Sequence, residues 1–317
     1  MTALAAAPAA SVRPVPWPRL AWVVWRRYRT TLAATAAVLA VIAVILVISG
    51  ERMRSAYTTY LDCRPVHSAP CQFAWQNFRD GYGQPGLFGV VLLFLPGIIG
   101  AFAGAPVLAR ELETGTFRYA WTQGVGRTRW AIAALVPGAL GVAVIMAAFG
   151  VLVTWHNQPL VEAGVTPRLH ATVFPVTGIA AAGWALAGFA LGVLAGLLWR
   201  RVLAALATAF AVWFGLAFLA ATVLRPSYLT QLTTTSLQLS GKDFSLDQWW
   251  TKGGVRISNA HINTVLRAIG FQAVDGSGKV TVQPGAGSNV DPVQYLLRHG
   301  YLQVTGYQPD SRYWPFQ

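Results

Sequence analysis

The chain has 317 residues, 55% of them hydrophobic and only 11% charged, with a formal net charge of +13. Soluble domains carry about a quarter charged residues, so this composition and the mean hydropathy of +0.47 exclude an ordinary water-soluble fold. The basic excess does not point to nucleic acid, because the arginines lie between apolar stretches rather than on one face or in one patch, and no nucleic-acid partner is expected.

Residues 1–16 are rich in Ala and Pro and read as a disordered tail. Residues 17–30 interleave aromatics with arginines. At helical spacing Trp22, Trp25 and Tyr28 reach a headgroup layer while Arg26, Arg27 and Arg29 face phosphates, which predicts an interfacial elbow helix on the inner leaflet. A basic segment before an apolar run can also be a signal peptide. This run is longer than a typical signal core and no Ala-x-Ala site follows it, so an uncleaved first helix is expected.

Five uncharged apolar runs then follow: Thr31 to Ser49, Gly86 to Ala109, Trp130 to Trp155, Pro175 to Leu198, and Val202 to Leu224. Each has about the 20 residues that cross a hydrocarbon core of roughly 30 Å. The fold class expected is therefore an all-α polytopic membrane protein, with a five-helix transmembrane domain over 31–224. With the N-terminus inside, eleven arginines fall in inner segments and five in the two short outer loops, as the positive-inside rule requires. The N-terminus is then cytoplasmic and residues 225–317 lie outside the cell membrane.

The two cysteines, Cys63 and Cys71, both fall in the first outer loop. An oxidising compartment would let them pair; two unpaired thiols is the other reading. In the second run, Pro96 and Gly97 stand at mid-membrane as a plausible hinge beside a pathway, followed by Gly100 and Gly104. Gly188, Gly192 and Gly196 of the fourth run place three bare backbone patches on one helix face. They allow close helix packing within one subunit, or a dimer seam.

From Arg225 the composition turns polar. Asp291-Pro292 opens and Gly300 closes a short helix, 259–269 is another, and 278–282 and 301–305 look like strands. This predicts a small extracytoplasmic α+β domain over 225–317. It ends in the aromatic cluster Tyr313, Trp314 and Phe316, of the kind found at a membrane interface.

No Asp, Glu, Lys, Arg or His lies well inside the five runs. Ion-coupled transporters generally need such groups at membrane depth, and intramembrane enzymes need clustered nucleophiles or metal ligands, so neither class is favoured and no metal site or catalytic residue is expected. His156, Glu162 and His170 match no metal template and read as solvated loop residues. The segment from Gly276 to Thr281 resembles part of a phosphate loop, but Ala273 replaces its first glycine and Val280 follows the lysine. The chain is not expected to hydrolyse ATP itself, and no cofactor is expected.

The densest polar segment joins the second and third runs. Glu111 and Glu113 are the only carboxylates on the inner side, beside Arg110, with Arg118, Arg127 and Arg129 further on. A short helix ending near Gly115 and another from Thr116 would form a charged knuckle; an ordinary solvated connection fits the composition equally well. Arg110-Glu-Leu-Glu-Thr-Gly-Thr116, followed by Arg127-Thr-Arg129 at the start of the third run, resembles the type-two ATP-binding-cassette exporter permeases, and more narrowly their actinobacterial members. The basic aromatic elbow, Arg200-Arg201, Arg225-Pro226 and the Tyr307 to Gln317 ending extend the resemblance over essentially the whole length.

The resemblance implies a permease of six helices per subunit, acting as a homodimer or paired permease with cytoplasmic P-loop ATPase subunits. Contact with that ATPase falls on Trp25 and Arg26 of the elbow and on Arg110, Glu111, Glu113, Gly115, Thr116, Arg127 and Arg129. A sixth helix is expected beyond this sequence. Membrane lipid is the other expected partner. The alternatives are a non-transporting sensor or immunity protein, or a lipid-modifying membrane protein, using the outer domain.

Overall fold

The structure, a computed structural model, describes residues 16–63, 69–84, 86–115, 127–235, 239–268 and 291–317. Five helices among these are long and apolar enough to cross a membrane. They are α1 (Trp17–Asp62), α3 (Gly86–Thr114), α4 (Arg127–Glu162), α5 (Ala180–Trp199) and α6 (Val202–Leu219). The last continues through a π-helical turn, Ala220–Leu224, into Arg225–Ser227. A further helix, α2 (Ala69–Tyr82), precedes α3.

The chain divides into two compact units. The first comprises Met1–Ser49, Gly86–His156 and Pro175–Ala217; the second comprises Gly50–Pro85, Asn157–Phe174 and Phe218–Gln317. In the first unit α3 and α5 pack along their length, and the core gathers Leu46, Leu95, Val107, Val142, Met146 and Phe189. Glycine sets the spacing. Gly100 and Gly104 face the backbone carbonyls of Ala185 and Phe189, and a methyl on Gly192 would lie 2.7 Å from the Ala105 nitrogen. Neither helix can carry side chains on that face without being pushed apart.

The expected elbow helix is not a separate element. Residues 17–30 are the first turns of α1, which runs to Asp62; no glycine or proline interrupts positions 19–49, so elbow and span are one helix. Trp22 and Trp25 are exposed, but Tyr28 does not face outward with them. It is buried, and its hydroxyl donates to the Ala134 carbonyl at 2.6 Å, over a face of α4 that Gly138 leaves open for the ring.

In the second unit a four-stranded antiparallel sheet has the order β1-β4-β2-β3. The strands are β1 (Leu232–Thr234), β2 (Phe244–Lys252), β3 (Val255–Ile257) and β4 (Tyr301–Gln308). Gly253 and Gly254, both at positive φ, close the β2–β3 hairpin, the backbone that a two-residue connection of this kind demands. Helices α7 (Asn259–Arg267) and α8 (Pro292–Arg298) set Ile262, Leu266 and Leu296 against Trp250 and Tyr301. Both carry side-chain caps. Ser258 accepts from the His261 N–H, and Asp291 accepts from Val293 and Gln294. The strand expected over 278–282, and the phosphate-loop lookalike beside it, lie outside the described residues.

The second unit also holds a small aromatic core in which Met53 of α1, Phe78 of α2 and Leu160 of α4 are buried together, flanked by Tyr57, Trp75 and Tyr82. The remaining short elements are two 3-10 turns (Phe174–Val176 and Asp310–Arg312) and α9 (Tyr313–Phe316).

Candidate functional site

Glu111 and Glu113 occupy the last turn of α3, with Arg110 just before it, so the short helix expected there is the end of the second span itself. The helix stops because Gly115 adopts φ of +71°, the left-handed conformation that a glycine enters at little steric cost. Thr114 Oγ1 donates back to the Arg110 carbonyl at 2.8 Å and satisfies one of the terminal acceptors. Arg110 and Glu113 are exposed and Glu111 is half-buried. Carboxylates at a helix C-terminus oppose the macrodipole, at a cost of roughly 0.3–1 kcal/mol each. Their position is therefore not explained by helix stability. Arg127 opens α4 and Arg129 is half-buried in its first turn. Thr116, Arg118 and the expected second helix of the knuckle lie outside the described residues.

Further along α3, Pro96 and Gly97 are buried in a helix that remains continuous and holds a second internal proline, Pro106. Gly97 is the seat of the Trp213 ring, and any Cβ there would overlap the indole. Trp213 of α6 is itself fixed, with Nε1–H donating to the Trp184 carbonyl at 2.9 Å and its ring edge-on to Trp184. Sequence reasoning singled out the proline and glycine but missed the tryptophan. Its only sequence signal was membership of an aromatic group with Phe210, Phe214 and Phe218 in a run rich in Ala, Val and Leu.

Gly188 and Gly196 face α3 with Gly192. Methyls on them would lie 3.0 Å from the carbonyl oxygens of Gly97 and Ala105 respectively. In this structure the glycine face is occupied within the subunit.

The two histidines expected in a solvated loop are placed otherwise. α4 continues to Glu162, so His156 is helical, and its Nε2 lies 3.0 Å from Ser49 Oγ. His170 is half-buried, with Nδ1 at 2.8 Å from Thr172 Oγ1 and its ring edge-on to Phe244. Burial, and secondarily the charge of Arg225, push its pKa below the ordinary value.

Cys63 and Cys71 are both free thiols in the structure, and the expected pairing is not seen. Cys63 follows the end of α1 and Cys71 lies in the first turn of α2, where its sulfur is directed at the Cys63 carbonyl at 3.4 Å. The hydrogen bond with the Cys71 side chain raises the Cys63 pKa, with desolvation adding to it. Among the described residues no group of three or more His, Cys, Asp or Glu could hold a metal ion.

Five apolar spans and a core packed through glycine define a multi-pass α-helical membrane protein. A family model described as ABC-2 membrane transporter related matches residues 36–225, more than half of the chain. The chain belongs to this family. No curated protein and no solved structure matches it.

Proposed function

We propose that this chain is the transmembrane permease subunit of an ATP-driven exporter, with hydrolysis carried out by a separate cytoplasmic P-loop ATPase. The family match carries the reading, and it spans the inner end of α3 where Arg110, Glu111, Glu113 and Gly115 stand. Closure of the ATPase pushes on this ledge, and on Trp25 and Arg26 near the start of α1. From Glu111 to Gly97 the helix covers about 20 Å at 1.5 Å per residue, so a push at the inner end reaches mid-membrane. There Pro96 and Gly97 act as the hinge and Trp213 as the contact that any bending of α3 must displace.

The topology places the N-terminus in the cytoplasm. Its support is that the two short loops and residues 225–317, all assigned outside in this topology, fall in one compact unit of residues 50–85, 157–174 and 218–317. Two such subunits, identical or paired, form the pathway. Its charge-free walls suit a hydrophobic or amphipathic cargo.

The folded outer sheet also suits a receptor, so a sensor or immunity role is the second reading. ATP hydrolysis by the complex in lipid nanodiscs separates the two when a panel of amphipathic peptides and lipids is added. An exporter shows stimulation by at least one compound, lost when Glu111 and Glu113 are replaced by Ala; a sensor shows a basal rate that no compound moves.

A further inference from the structure

The fifth span ends in an irregular way. Over Ala220–Leu224 it widens to a π-helical turn, in which the Arg225 N–H donates to the Ala220 carbonyl five residues back. The sequence supplies a reason, because position 226 is a proline and has no N–H to continue the regular α-helical bonding. Turns of this kind mark points where a helix bends.

Immediately after this weak turn stands Arg225, only 5% exposed although charged, with no hydrogen-bond partner at Nη1. Its contact is aromatic: the guanidinium lies 4.5 Å over the Phe174 ring. Phe174 meets Tyr313 edge-on at 6.1 Å. Tyr313 in turn lies under the Arg168 guanidinium at 5.6 Å, and Arg168 pairs with Asp310 at 3.6 Å. Cation, ring, ring, cation and carboxylate thus form one ladder inside the second unit. It runs from the end of the last span to the segment that follows β4.

We propose that Arg225 is the latch of a hinge at Ala220–Leu224, and that the ladder through Phe174 and Tyr313 holds this hinge closed. Among the described residues no carboxylate pairs with this buried guanidinium, and its stacking on the Phe174 ring is strong only while water is excluded. Loss of the stack exposes the charge to water, which stabilises it, so release is favoured as soon as the rings part. The freed end of the span can then swing, the motion an outer gate requires. Arg225 here is a positioning residue. The inference needs the fifth span to end at Leu224 and does not depend on ATP-driven export.

Hydrogen exchange of the full chain in lipid nanodiscs, read by mass spectrometry, tests it. Phe174→Leu and Arg225→Gln are expected to exchange about tenfold faster than the parent over both 220–228 and 309–317, with α7 and α8 unchanged. Phe174→Tyr, which keeps a ring face, is expected to restore the parent rates. Unchanged exchange at 220–228, or a rise spread equally over β2, α7 and α8, would overturn the latch. So would a failure of Phe174→Tyr to restore protection.

Discussion

Replacing Gly192 with Ala adds one methyl group where α5 crosses α3, and the structure sets its cost. The new carbon would stand 2.7 Å from the Ala105 nitrogen and 3.0 Å from the Ala101 oxygen, whereas ordinary contact begins at 3.4 Å. Both obstacles are backbone, so no rotamer relieves them and the helices must separate by the 0.7 Å difference between 2.7 and 3.4 Å. A radial gap of about 0.5–1 Å forfeits a quarter to a half of each dispersion contact, and overpacking of this size costs about 1–3 kcal/mol. Gly183 of α5 and Gly215 of α6 are internal controls, since nothing lies within 4 Å of a Cβ at either. There the same substitution should stabilise by about 0.5–1 kcal/mol through helix propensity alone. Denaturant-induced unfolding in mixed micelles, compared across Gly192→Ala, Gly183→Ala and Gly215→Ala, reads the sign directly. Gly192→Ala as harmless as the other two would refute the close approach of α3 and α5.

Three further outcomes are expected. Because burial and Arg225 depress the His170 pKa below its ordinary 6.5, the unfolded chain takes up the proton first. The stability tied to neutral His170 is complete above that value and is lost as pH falls through the depressed one. Thermal unfolding of the second unit at about pH 7.5 and pH 5 should show this loss, reduced in His170→Gln. Asp291→Ala removes the cap that Val293 and Gln294 donate to, so protection of α8 in hydrogen exchange should fall by about 1 kcal/mol. Arg200, at φ of 52° between α5 and α6, is the one non-glycine residue at positive φ among the described residues; Arg200→Gly should raise the midpoint of thermal unfolding, corresponding to about 1 kcal/mol.

The five spans could be read from sequence because an uncharged run of span length has few soluble alternatives. The boundary between elbow and first span could not, because composition changes there while nothing between positions 19 and 49 breaks the helix. The β2–β3 hairpin carried a readable signal in Gly253-Gly254, yet β2 itself lacks a clean alternation: its bulge between Ser245 and Asp247 resets the pleat. At the candidate site the carboxylates and Gly115 stood out because they break local rules, negative charge at a helix C-terminus and a helix stop. Trp213 on Gly97 and Arg225 on Phe174 are pairings between distant segments, and neither partner is unusual in its own neighbourhood. The cysteines were legible as neighbours on one loop, and the structure sets the Cys71 sulfur 3.4 Å from the Cys63 carbonyl without a bond between them.

The account stands on a permease partnered by an ATPase through the inner end of α3. Purification of the chain from native membranes in mild detergent, with mass spectrometry of the bound proteins, tests this most directly. The account predicts a stoichiometric P-loop ATPase that is lost when Glu111 and Glu113 are replaced by Ala, with the permease still inserted at its normal level. Recovery of the chain without an ATPase, under conditions that preserve a known exporter complex, would contradict it.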